Sequence, residues 1–327
     1  MLEVFTEFFL FIIFSKLIIG GTQMNMINLT IDGIPVKVKS GTTVMEAAKS
    51  IGIDIPALCY LKGVNEVGAC RICVVEVERA RTLQASCVLP VAEGMVVHTE
   101  SPAVVEARKE ILKLILDNHP NDCLTCDKAG ECKLQEYAYR YDVKFREHDG
   151  ARRNAIIDTS NPYILRDNNK CILCGRCVST CSQIQERSVL SFGERGFETH
   201  IIADNDRILG ESSCVSCGRC ISVCPVGALI DNRIAGKARA WETEKEEVKC
   251  TQCEYGCNFE LLKKDGVVLG VRAKEPGEGR PLCLKGKLSV DLTYNPKPLA
   301  PLMKKDDQYV EVSWAEALGL EKIIDKL

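Results

Sequence analysis

From Met26 the chain alternates apolar and polar positions. Ile27, Leu29 and Ile31 come first, Asp32-Gly33 marks a turn, and Val36 and Val38 resume the alternation. This pattern predicts a β-hairpin. Thr43 with Glu46 three residues later predicts a capping box that opens a short helix over Val44 to Ser50, stopped at Gly52. Val74, Val75 and Val77 predict a further strand. Val105, Ile111, Leu112, Ile115 and Leu116 recur at helical spacing among charges, which predicts an amphipathic helix over residues 102–118. From Asn121 to Pro225 the periodicity fades into a loop-rich, cysteine-punctuated stretch with short helices. The charged run Glu242 to Lys249 reads as a separator before a last module, and Pro296 to Pro301 as a linker.

The N-terminal residues read differently. Residues 4–19 are apolar enough to resemble a membrane segment, but Glu7 and Lys16 interrupt them, and a spanning helix needs about 20 mostly apolar residues. A secretory signal needs a positive start and a small-residue cleavage site, and the start here carries Glu3. Residues 1–25 are therefore expected to be a non-native or disordered extension. Gly20-Gly21, just before Met24, is what a purine-rich ribosome-binding sequence would encode, so translation is expected to start at Met24 or Met26. A peripheral membrane anchor is the competing reading.

Composition narrows the function. A length of 327 residues corresponds to about two to three domains. Lys+Arg is 42 against Asp+Glu 45, a formal net charge of −3, and aromatic residues are 6%. Neither a basic surface nor a stock of stacking rings is available, so a nucleic-acid partner is not expected. The anomaly is 19 Cys, an odd number in a chain far too long for a disulfide mini-protein. Metal is the better reading.

The cysteines fall into sets. Cys59, Cys70, Cys73 and Cys87 are spaced C-x10-C-x2-C-x13-C after the hairpin and helix, around Gly63 and Gly68. This is a loosened form of the plant-type ferredoxin spacing and points to a [2Fe–2S] centre, with four-thiolate zinc as the alternative. Cys123, Cys126 and Cys132 lack a fourth thiolate. His119, at the end of a helix and just before Pro120, can supply an imidazole, which would raise the potential of a [4Fe–4S] centre. His98, His148 and His200 have no comparable setting. Cys171, Cys174, Cys177, Cys181 and Cys214, Cys217, Cys220, Cys224-Pro225 form an internal repeat, each run containing Cys-Gly-Arg-Cys. The repeat resembles the bacterial two-cluster ferredoxin run, in which the fourth cysteine of each run serves the other cluster. The resemblance implies that Cys181 completes the Cys214, Cys217, Cys220 set and Cys224 the Cys171, Cys174, Cys177 set. Cys250, Cys253, Cys257 and Cys283 form the last set, for which zinc stays open on spacing alone. The sets use every cysteine in the chain.

The order of these modules over roughly residues 26–318 resembles the N-terminal region shared by three relatives. They are the large iron–sulfur subunit of complex I, the catalytic subunit of multimeric [FeFe]-hydrogenases, and the alpha subunit of NAD-linked formate dehydrogenases in the molybdopterin oxidoreductase family. All eight ligands of the ferredoxin pair are present, whereas complex I generally keeps one cluster of it. Cys250 to Lys285 is similar to the small [4Fe–4S] domain that opens molybdopterin oxidoreductases, where a lysine matching Lys285 lies between cluster and pterin. Val312 to Leu318 is similar to the entry of their pterin-binding domains.

The resemblance implies an α+β multidomain iron–sulfur protein. Residues 26–101 would form a β-grasp [2Fe–2S] ferredoxin-like domain and 102–145 a small helical His/three-Cys domain. Residues 160–236 would form a two-cluster bacterial ferredoxin-like domain, 243–298 a molybdopterin-oxidoreductase-type [4Fe–4S] domain, and 299–327 the start of a pterin-binding domain. Cofactors would be one [2Fe–2S] and four [4Fe–4S] clusters, with molybdenum or tungsten bis-pterin only if a further C-terminal domain exists. The chain would be a cytoplasmic electron-transfer unit, with Lys285 as relay and no complete catalytic site of its own. Its partners would be an NADH-oxidising flavin/iron–sulfur subunit and a small [2Fe–2S] subunit, with ferredoxin as a further candidate and no membrane contact. The alternative is a stand-alone scaffold in a bifurcating hydrogenase or transhydrogenase complex, or a protein like the large iron–sulfur subunit of complex I. No G-x-G-x-x-G follows a strand and opens a helix, so this chain alone is not expected to oxidise NADH.

Overall fold

The structure, a computed structural model, describes residues 25–144, 150–273, 283, 286, 300–305 and 308–320. The expectations for residues 1–24, His148, Lys285 and most of the 296–301 linker lie outside the described residues.

The predicted hairpin is β1 (Met26–Ile31) paired antiparallel with β2 (Ile34–Lys39), with Leu29 opposite Val36 and Ile31 opposite Ile34. Asp32 and Gly33 both take positive φ, as a two-residue turn between right-twisted strands requires. Helix α1 (Val44–Ser50) matches its predicted bounds. Only half of the expected capping box forms. Thr43 Oγ1 accepts from the Glu46 amide at 3.3 Å, but the Glu46 carboxylate turns instead to Tyr60 (2.9 Å) and Lys62 (2.7 Å). A charged lysine offers it a stronger partner than a backbone amide does.

Strands β3 (Val74–Val77), β4 (Gln84–Ala85) and β5 (Val96–His98) complete a five-stranded mixed sheet in the order β2-β1-β5-β3-β4. Leu29, Ile31, Val36, Val75 and Val97 bury one face against Val44, Ala47 and Ala48 of α1. Each large apolar side chain buried this way contributes about 1.5–3 kcal/mol.

Helix α2 (Pro102–Asp117) begins as its sequence dictates, with Ser101 as the cap and Pro102 in the first turn. After α3 (Lys133–Arg140) come the short elements of the cysteine repeat: β6 (Ile164–Arg166), α4 (Arg176–Ser179), β7 (Leu190–Gly193), β8 (His200–Ala203), α5 (Arg219–Val223) and β9 (Leu229–Asp231). β6 pairs with β9 and β7 with β8, each antiparallel. The first module keeps a core of its own under the sheet, but it also shares a second one with the modules that follow. Leu58 and Ile72 of the first, Leu112 of α2, Leu134 and Tyr137 of α3, and Ile164, Val189, Ile221 and Val226 of the repeat share one apolar cluster. Elements this short cannot bury enough surface alone.

Arg108 pins the first two modules together from within. Its side chain is 0% exposed and donates to the Ile72 and Val74 carbonyls (3.1 and 2.8 Å), to Tyr141 Oη (2.7 Å) and to Glu100 (2.8 Å).

The charged run expected to be a separator is instead a strand, β10 (Glu244–Lys249). It forms the edge of an antiparallel sheet with β11 (Asn258–Lys264) and β12 (Val267–Ala273). Its side chains are mostly exposed, and Glu246 pairs across the sheet with Lys263, so its charge suits an edge strand. Glu131, just before α3, bridges to Arg272 (2.6 Å) and Lys245 (2.7 Å) and ties this sheet to the rest. Burial would raise the Glu131 carboxyl, but the Arg272 guanidinium beside it brings it down to about 2. β13 (Leu302–Lys305), β14 (Gln308–Glu311) and α6 (Trp314–Ala317) follow, α6 being capped by Ser313. Among the described residues no helix is long and apolar enough to cross a membrane.

Candidate metal centres

The two cysteine runs fold as copies of one another. In each, the residue before the second cysteine has positive φ, Leu173 at 54° and Ser216 at 53°, and its amide points at the first sulfur: Leu173 N to Cys171 Sγ and Ser216 N to Cys214 Sγ, both 3.4 Å. The Cys-Gly-Arg-Cys tetrapeptide follows. Gly175 (φ 79°) and Gly218 (φ 73°) stand at left-handed positions that cap α4 and α5, a conformation that costs a residue with a Cβ more than it costs glycine. A backbone that turns its amides toward sulfur is a shape that stabilises a thiolate.

Tertiary packing then exchanges the ends of the runs. Cys171, Cys174, Cys177 and Cys224 line one pocket with Ile172, Ile201 and Val226. Cys181, Cys214, Cys217 and Cys220 line a second with Ile164, Val189 and Leu209. Leu229 lies in both walls. The cysteines line the two pockets in the same crossed combination that the ferredoxin resemblance implies for the ligands. Burial, and then the neighbouring Cys224 sulfur, pushes the Cys171 thiol up to about 11 and the Cys174 thiol up to about 12. Cys177 and Cys220 are pushed well up, by burial first and then by their set partners. Thiols pushed up in this way ionise in an apolar pocket only around a cation. That donor set fits a [4Fe–4S] cluster in each pocket, since a coordinating thiol is deprotonated outright by the metal.

The first set is also assembled. Cys73 Sγ and Cys87 Sγ are 3.3 Å apart, and the Cys70 amide donates to Cys59 Sγ at 3.5 Å. Cys59 is held down by the Cys70 and Cys87 thiols, while Cys70 and Cys87 are pushed up by Cys59. Gly63 and Gly68, noted in the sequence, both have positive φ in the connecting loop.

His119 is buried, and its Nδ1 accepts from the Asn121 amide at 3.3 Å. It lines one cavity with Cys123 and Cys132. Cys126 does not line that cavity, but its sulfur is near enough to act electrostatically on both Cys123 and Cys132, and it also abuts the repeat. A Cβ added to Gly227 would come within 2.7 Å of Cys126 Sγ, so glycine is what lets the two modules approach there. His98 and His200 have ordinary surface partners, Glu78 and Asp206.

In the last set Cys250 is buried and Cys257 half-buried, and the Cys250 amide donates to the Cys257 carbonyl at 2.8 Å. Cys253 and Cys283 are exposed. The Gly286 amide donates to Cys283 Sγ at 3.3 Å, and a Cβ on Gly286 would lie 3.3 Å from Cys250 Sγ, so Cys250 and Cys283 share one neighbourhood. Among the described residues no three His, Cys, Asp or Glu side chains close on a single metal-ion position.

Residues 24–102 match the 2Fe-2S iron-sulfur cluster binding domain family. Residues 108–147 match the NADH-ubiquinone oxidoreductase-G iron-sulfur binding region, and 170–228 the 4Fe-4S dicluster domain. A G-type NADH-quinone oxidoreductase subunit of Rhizobium meliloti, the second of that type, is 36% identical over 298 residues, covering 89% of this chain and 34% of that protein. The HndD subunit of the NADP-reducing hydrogenase of Solidesulfovibrio fructosivorans is 42% identical over 214 residues, covering 64% of this chain and 37% of that protein. A chain in the crystal structure of an NAD+-reducing [NiFe]-hydrogenase superposes with a TM-score of 0.61 at 32% identity, over 65% of this chain and 90% of that one. The chain is an electron-transfer iron–sulfur protein related to the G-type subunits of NADH-quinone oxidoreductase and to NAD-linked hydrogenase subunits. It spans about a third of the length of these two curated relatives.

In this iron–sulfur chain the arginines of the two Cys-Gly-Arg-Cys motifs had no role assigned from sequence. Arg219 is only 3% exposed. Burial depresses its guanidinium, and the sulfurs of Cys217 and Cys257 oppose that effect. It is therefore within electrostatic reach of a sulfur of the second ferredoxin-type set and one of the last set. Asn65 was also missed. The motif repetition could have flagged the arginine, whereas nothing in the sequence marks an asparagine in the middle of a loop.

Proposed function

We propose that this chain is a multi-cluster electron conduit holding one [2Fe–2S] and four [4Fe–4S] clusters. His119 with Cys123, Cys126 and Cys132, and the four cysteine sets described above, would hold them. The observation that carries the reading is the pair of apolar pockets, each lined by three cysteines of one run and the fourth of the other. Bound clusters would supply one-electron carriers. The chain's own residues set the conditions around them: apolar walls exclude water, the Leu173 and Ser216 amides donate to sulfur, and Arg219 places a cation within electrostatic reach of two sets. Electrons would pass between an NADH-oxidising flavin/iron–sulfur partner with its small [2Fe–2S] subunit and a second redox site. The similarity of Cys250 to Lys285 to molybdopterin oxidoreductases favours a pterin-bound metal there, with formate as substrate, as in a formate dehydrogenase alpha subunit in the cytoplasm.

The 42% identity to a hydrogenase subunit favours a second reading, an iron–sulfur subunit of a hydrogenase-type complex. A neighbouring gene encoding a pterin-binding domain supports the first reading. An intact complex that lacks pterin supports the second.

Anaerobic reconstitution tests the cluster content. The chain should hold about 18 iron atoms, as one two-iron and four four-iron clusters require. Stoichiometric zinc in place of four of them would remove the [4Fe–4S] assignment of the Cys250 set. The loaded chain should pass electrons from dithionite to viologen acceptors. Formate-dependent viologen reduction by this chain alone would overturn the conduit reading.

A further inference from the structure

Asn65 sits in the loop between Cys59 and Cys70 and is 2% exposed. Its backbone is fixed by the Leu61 amide donating to the Asn65 carbonyl (3.0 Å) and the Asn65 amide donating to the Leu61 carbonyl (2.7 Å). The side chain reaches out of this turn. Its Nδ2 donates to the Cys59 carbonyl at 2.7 Å and to the Cys174 carbonyl at 3.0 Å. Oδ1 accepts from Ser179 Oγ of α4 at 2.6 Å. The two carbonyls, which can only accept, fix the NH2 end of the amide toward them, so the Ser179 hydroxyl is the donor to Oδ1.

One amide nitrogen therefore bridges two peptides that belong to different cysteine sets. Cys59 is in the first set and Cys174 is in the pocket with Cys171, Cys177 and Cys224. From each carbonyl the covalent path runs back through that residue's own Cα and Cβ to its sulfur. A buried amide with both N–H groups committed is also costly to withdraw, because two carbonyls would be left without a donor.

We propose that Asn65 is a positioning residue that latches the first cysteine set to the Cys171 set and carries the electronic contact between the clusters they hold. This rests on the iron–sulfur reading of both sets. Asn65 ligates nothing, so the latch couples two sites without building either.

The test uses the full chain, reconstituted anaerobically, with Asn65→Ala and Ser179→Ala variants. Neither Asn65 nor Ser179 ligates metal, so both variants should load iron as the unaltered chain does, with Asn65→Ala losing some stability for its two undonated carbonyls. Two readouts are taken: iron content, and the splitting that two nearby paramagnets impose on each other in the EPR spectrum of the dithionite-reduced protein. We expect the Asn65→Ala variant to keep its iron and lose the splitting between the [2Fe–2S] signal and its [4Fe–4S] neighbour. The Ser179→Ala variant should show a partial loss in the same direction. Splitting retained in both variants would overturn the latch, and so would iron lost from the first set, which would make Asn65 part of that site. An unaltered chain with no [2Fe–2S] or [4Fe–4S] signal would instead remove the functional reading on which the latch stands.

Discussion

The crossed cysteine pair and the Cys250 set solve one problem in two ways. In the pair, each pocket takes a cysteine from the far run, and both pockets sit in the apolar cluster that also holds Leu112, Leu134 and Ile164. Neither pocket can open without disturbing the other and the core around them. The Cys250 set is built on a three-stranded sheet with its own small core of Phe259, Leu261, Val268 and Val271, and two of its four cysteines face solvent. Interlocked ligands couple metal binding to the stability of the chain. A set carried at the margin of a sheet leaves its metal separable from the rest.

That contrast sets the order of expected effects. Cys177→Ser, in the shared core, should lose its cluster and lower the thermal unfolding midpoint of the whole chain. Replacing Cys250, Cys253 and Cys257 together should cost one cluster and leave the others reducible, as read by EPR. A midpoint that falls equally in both would erase the distinction.

Iron release sharpens it further. Under an iron chelator the Cys250 set should empty first. Glu131→Gln should quicken that step, because Glu131 holds the sheet through Arg272 and Lys245. Simultaneous loss from all sites would count against separable modules.

The His119 set stands between the two extremes, with Cys126 buried and Cys123 exposed. His119→Cys adds a negative charge beside the metal and should lower the potential of that centre by on the order of 100 mV. An unchanged redox titration would mean that His119 is not a ligand.

Much of this molecule was legible in its sequence. Alternation at Ile27 to Val38, the Thr43 cap and the 102–118 stripe are local signals, and β1, β2, α1 and α2 form where they point. The cysteine spacings were legible because their residue type is rare. Glu244 to Lys249 was misread because a charged edge strand lacks the apolar alternation by which strands are recognised. The exchange of Cys181 and Cys224 between sets came from a ferredoxin resemblance, since spacing alone does not say which run a sulfur will face. Arg108 and Asn65 act through contacts 30 or more residues away in sequence, which no local pattern encodes. The common core of the first modules was hidden for the same reason.

The central claim is that the two ferredoxin-type pockets take their ligands crosswise, and Cys181→Ser tests it most directly. After anaerobic reconstitution, the variant should lose the cluster of Cys214, Cys217 and Cys220 and retain that of Cys171, Cys174 and Cys177, despite the latter's proximity in sequence. The loss is assigned by double variants: Cys181→Ser with Cys214→Ser should still be missing only one cluster, and Cys181→Ser with Cys171→Ser both. If Cys181→Ser removes the Cys171-set cluster alone, the crossed arrangement, and the conduit built on it, is wrong.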